Sequence, residues 1–134
     1  MINSQKIPLL VGVTGHIDLR EADRDTLLRS VTGELKRLRE TYPHTPLKML
    51  NSLAAGADLL CADAAEELEI PLIAALPMET AEYEKDFSPQ ELEHFRHHLD
   101  RAESTFVAPA AEAETGDSRE FAYRQAGIYV VEHA

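Results

Sequence analysis

The chain has 134 residues, the size of one ordinary domain. Its 13 Lys and Arg stand against 24 Asp and Glu, a formal charge of −11. That balance disfavours non-specific nucleic-acid binding, which rests on basic side chains neutralising phosphates. No run approaches the roughly 18–20 apolar residues that a membrane-spanning helix needs. The segment Met1–Lys6 lacks the apolar core of a signal peptide, and the single cysteine, Cys61, excludes an internal disulfide. A cytoplasmic protein is the expectation.

The chain reads as alternating strands and helices. Ile7–Thr14 is a short apolar run that ends in a turn at Gly15-His16. Pro8 is tolerable only near the start of such a strand. A helix over about 22–42 follows, with Leu27, Val31, Leu35, Leu38 and Tyr42 at helical spacing. Gly33 lies inside it, and Pro43 and Pro46 stop it. A second strand covers 47–53, and Ala54-Ala55-Gly56 turns it into a helix over about 57–68. The alanines of that helix permit close packing on a sheet, and Cys61 is read as a small buried residue there.

A third strand over 70–76 closes at Pro77. Residues 79–87 read as a loop with a short helical turn. Ser88, Pro89 and Glu91 then mark a helix start, with Ser at the N-cap, Pro at N1 and Glu at N3. Its buried face is Leu92, Phe95, Leu99 and Ala102, and a fourth strand follows at 104–108. After an Ala/Glu-rich loop, a last helix capped at Asp117 or Ser118 would place Phe121, Ala122, Ile128 and Val131 inward.

This order, β-α-β-α-β-α-β-α, predicts a Rossmann-like α/β domain: an open, doubly wound parallel sheet of about four strands flanked by helices. A final helix should lead to a further strand, so residues 1–134 read as the N-terminal part of a longer domain. The apolar ending Ile128–Val131 suggests a homodimer.

In open α/β sheets ligands bind beyond the C-terminal ends of the strands. The turn Ser52–Asp58 enters small residues and becomes a helix within a few positions. Small side chains admit a ligand to the backbone, and the first helical amides have no internal partner, which suits a phosphate. The alternative is that Gly and Ala merely allow tight packing. Asp58 would repel an anion and fits better as a charge stabilising the helix start. His16, just after the first strand, could donate to a phosphate or ribose, or be an exposed loop histidine.

Three segments together resemble the SLOG superfamily of Rossmann-like domains, which includes the DNA-processing protein A and the "lonely guy" phosphoribohydrolases. They are Val11-Gly12-Val13-Thr14-Gly15-His16; Leu50–Leu60; and Glu67–Met78 with Tyr83 and Asp86-Phe87. The resemblance implies a site for a nucleotide or nucleotide-derived ligand. Gly15 and His16 would line it from the first strand, Ser52, Ala54, Gly56 and Ala57 would form the phosphate-facing turn, and Pro77, Met78 and Tyr83 would be its wall or lid. Ile17 stands where the family has Arg, and no "PGGxGTxxE" turn with its catalytic Glu occurs.

The expected function is therefore binding or sensing of a nucleotide-derived small molecule. The alternative is an N-glycosidic hydrolase or transferase acting on nucleoside monophosphates, with Glu79 and Glu82 as candidate carboxylates. No catalytic residue is assigned, and no cofactor or metal is expected. Tyr83 and Phe87 would either stack on a base or staple the loop to the sheet. His94 and His98, at i and i+4, could share a metal, but with His97 they read as a polar, solvated helix face.

Overall fold

The computed structural model describes residues 7–13 and 21–108. The strands are β1 (Leu9–Val13), β2 (Leu47–Asn51), β3 (Leu72–Leu76) and β4 (Ser104–Val107). The helices are α1 (Glu21–Thr41), α2 (Ala57–Glu67), the single turn α3 (Thr80–Tyr83) and α4 (Pro89–Arg101), with a 3-10 turn at Glu84–Asp86. All four strands are parallel, as the alternating pattern requires, and the architecture is a Rossmann-like α/β sheet flanked by helices.

The strands lie in chain order, β1-β2-β3-β4. Among the described strands there is thus no reversal of order of the kind that locates ligands in a doubly wound sheet. Crossovers between sequential parallel neighbours share one hand and so one face. Accordingly α1 packs on α2, and α2 on α4.

Between this helical layer and the sheet lies the larger core. Leu47, Met49, Leu72, Ala74 and Leu76 point into it with strand periodicity, against Leu35, Leu59, Ala62 and Phe95. Ala62, Ala64 and Ala65 are fully buried, which lets α2 sit close on the sheet. The opposite sheet face carries Leu50, Ala75 and Ala108, with Ile73 and Phe106. Lys48 on that face pairs with Glu103 at 2.6 Å.

The local signals have structural counterparts. Ser88 accepts from the Glu91 amide while Glu91 accepts from the Ser88 amide, a complete capping box with Pro89 at N1. Helix α2 ends in a Schellman arrangement: Glu69 donates to the Glu66 carbonyl and Ile70 to the Ala65 carbonyl. Glu69 takes the left-handed position (φ 58°), and Arg39 of α1 donates to the Leu68 carbonyl beside it. Among the described residues no helix is long and apolar enough to cross a membrane. Gly15, His16, the last helix and the apolar C-terminal segment lie outside the described residues.

Candidate functional site

Strand β2 ends two residues earlier than its apolar run suggests, and Asn51 is the reason. This side chain is fully buried. Its Oδ1 accepts from the Leu53 amide at 2.8 Å, and its Nδ2 donates to the Asp58 carbonyl at 2.8 Å. A side chain that claims a nearby backbone amide competes with the strand ladder and forces a turn. Leu53 is thereby held in the left-handed region (φ 58°), uncommon for a branched residue and tolerated because its side chain is fully buried. Gly56, at φ 89° and ψ −124°, has a conformation open only to glycine.

Helix α2 then starts with no side-chain cap. The Leu59 amide bonds the Ala54 carbonyl and the Leu60 amide bonds the Gly56 carbonyl, both at 3.2 Å. The amides of Ala55, Gly56, Ala57 and Asp58 find no acceptor among the described residues. Ala55, Gly56 and Ala57 are half-buried and lie at the partly open surface beyond the end of β2, while Asp58 is buried.

Asp58 sits against the same turn. It is only 5% exposed. Its Oδ2 accepts from the Ala54 amide at 3.3 Å, while its Oδ1 is buried with no hydrogen-bond partner among the described residues. Burial pushes the carboxyl up to about 7, and the Ala54 hydrogen bond offsets only part of that rise. Asp58 is thus a neutral or ionised neighbour of the amides according to pH near neutrality.

Of the other expected site residues, Ser52 is buried, and its carbonyl accepts from the Tyr83 hydroxyl at 3.1 Å. Pro77 is buried and Met78 packs against the main core. Tyr83 is fully buried. Its ring meets Phe87 and Phe95 edge-on, at 5.0 and 5.4 Å, and Phe87 stacks on Phe95 at 4.6 Å. Arg96 adds two hydrogen bonds to Glu84, at 2.8 and 3.2 Å. Residues 79–87 are therefore stapled to α4, the packing alternative for Tyr83 and Phe87. Tyr83 braces the β2 turn from within. Glu79 is exposed, and Glu82 pairs with Lys85 at 3.0 Å.

A second polar cluster lies between α2 and α4, and it corrects the expectation of a solvated histidine face. His98 is buried; its Nε2 is 2.6 Å from Asp63 Oδ1, and His94 Nε2 is 2.7 Å from the same oxygen. His97 Nε2 meets Glu66 Oε2 at 2.6 Å. Burial alone would raise the Asp63 carboxyl, but the hydrogen bonds of His94 and His98 outweigh it and hold the group well below the usual carboxylate range. Sequence reasoning missed Asp63 and Glu66 because their partners stand about thirty residues away. The one local signal was their placement a turn apart on an otherwise Ala- and Leu-rich helix.

Between Asp58 and Asp63 in α2, Cys61 is buried, its thiol pushed up to about 11 by burial and by the charges of those two residues. It stays a thiol at neutral pH and acts as packing, as its place in the helix suggested.

The chain matches no family model and no curated protein.

Proposed function

We propose that this protein binds a nucleotide-derived small molecule through an oxyanion held at the β2–α2 turn. The observation that carries this reading is the row of four adjacent amides, Ala55 to Asp58, that have no acceptor among the described residues at the start of α2. Such amides, with the positive end of the helix dipole, favour a phosphate oxygen. The small side chains of Ala54, Ala55, Gly56 and Ala57 leave the backbone approachable. Asn51 below and the Tyr83 hydroxyl bonded to Ser52 hold the turn in shape before a ligand arrives, so little ordering entropy opposes binding. The likeness of Leu50–Leu60 and its companion segments to the SLOG superfamily points to the same ligand class.

Titration with AMP, ADP and inorganic phosphate, followed by calorimetry and thermal shift, tests the reading. We expect a nucleotide to bind and to raise the Tm. Ala57→Glu should weaken binding at least about tenfold, since a fixed carboxylate beside the amides repels the phosphate. The same acid in the first helical turn favours the helix, so the loss would not come from unfolding. Absence of binding at about 1 mM nucleotide, or an affinity unchanged in Ala57→Glu, overturns the proposal.

A further inference from the structure

The histidine–carboxylate cluster between α2 and α4 has the chemistry of a site that the β2–α2 turn does not use. His94 and His98, four residues apart on α4, present their Nε2 atoms to one side, and Asp63 reaches them from α2. The three donor atoms lie within 4.8 Å of one another. We propose that Asp63, His94 and His98 bind a divalent transition-metal ion of the zinc class, which clamps α2 to α4.

Two imidazoles and a carboxylate are ligands suited to zinc and its neighbours. Tetrahedral bonds of about 2.0–2.1 Å put neighbouring donors about 3.3 Å apart. The Asp63 oxygen must therefore draw back by roughly 0.7 Å from contacts of 2.6 and 2.7 Å. It has room to do so, because the side chains of Asp63 and His94 are 35% and 28% exposed. That exposure also leaves outer coordination positions to water. The His98 side chain, only 3% exposed, supplies the fixed wall.

A second feature fits the same occupant. Metal-bound imidazoles pass their remaining N–H to a carboxylate, which fixes the ring. The Nδ1 of His98 faces Glu66 Oε2 at 3.9 Å, one small closure away from that bond. Arg101 does not compete for the cluster, since its Nη1 lies on His97 Nδ1 at 3.1 Å and its Nε faces Glu66 at 3.8 Å. To bind the ion each ring must turn its Nε2 lone pair to the metal and carry its N–H on Nδ1. Asp63 lies five residues beyond Asp58, about 7.5 Å along α2, so the clamp is separate from the amide turn.

The test uses untagged full chain, stripped with chelator, titrated with Zn²⁺ by calorimetry and with Co²⁺ by visible absorption. We expect one ion per chain, Kd in the micromolar range or below, and a Tm rise of about 5 °C or more in excess zinc. His94→Ala and Asp63→Ala, checked for folding by circular dichroism, should each weaken binding at least about tenfold and lose the Co²⁺ spectrum, while His97→Ala keeps both. No binding at about 1 mM zinc, or binding lost in His97→Ala but kept in His94→Ala, overturns the proposal.

Discussion

Helix α2 carries two carboxylates five residues apart, Asp58 and Asp63, whose environments act in opposite directions. Asp58, at the start of the helix, is almost fully enclosed and among the described residues has one backbone amide for two oxygens, so burial prevails and its carboxyl rises to about 7. Asp63, in the middle, is less enclosed and receives two imidazoles on one oxygen, so hydrogen bonding prevails and its carboxyl falls. Partner supply more than depth separates them. The turn beside Asp58 is also where the amides of Ala55 to Asp58 have no acceptor among the described residues.

The contrast is tested most strongly by pH. The folded-state value of Asp58, about 7, exceeds its ordinary 3.8, so its stabilising contribution is complete below about 3.8 and is lost as pH rises through 7. Asp58→Asn cannot ionise. Measured by urea unfolding, its stability relative to wild type should rise by ~2–4 kcal/mol between pH 4 and pH 8, at about 1.4 kcal/mol per pKa unit. A flat difference would mean that burial does not govern Asp58.

Asp63 has the opposite sign. Its contribution is present above the ordinary Asp range and is lost as pH falls below it. In metal-free protein at pH 7, Asp63→Ala should cost about 1–3 kcal/mol, because it leaves the buried His98 ring without its acceptor. A neutral outcome would make the cluster decoration.

The smallest expected effect serves as a reference outside both regions. Gly33 lies on the exposed side of α1, and a Cβ there meets no atom within 4 Å. Gly33→Ala should stabilise by up to about 1 kcal/mol with no pH dependence, read from the same urea midpoints. Its pH profile isolates what is peculiar to the two carboxylates.

Much of the fold was legible because its determinants are local. The Ser88-Pro89-x-Glu91 start of α4 needs only four residues, and the strand–helix alternation needs only the periodicity of apolar positions. The small residues of the β2–α2 turn were also legible, since Gly56 has a φ that other residues resist. Asn51 and Asp58 were harder to read. Whether a polar side chain beside a turn faces water or the backbone depends on what covers it, and here both side chains are buried. The roles of Tyr83 and the three histidines were legible only as alternatives.

From its own order of residues the chain specified parallel strands, the helices between them and a glycine-dependent turn, because each rests on backbone preferences felt within one element. Tertiary structure alone decided that the described strands follow one another without reversal, that Tyr83 is a brace, and that Asp63 meets His94 and His98. Those outcomes depend on which faces pack together, and packing joins side chains that no short-range pattern connects.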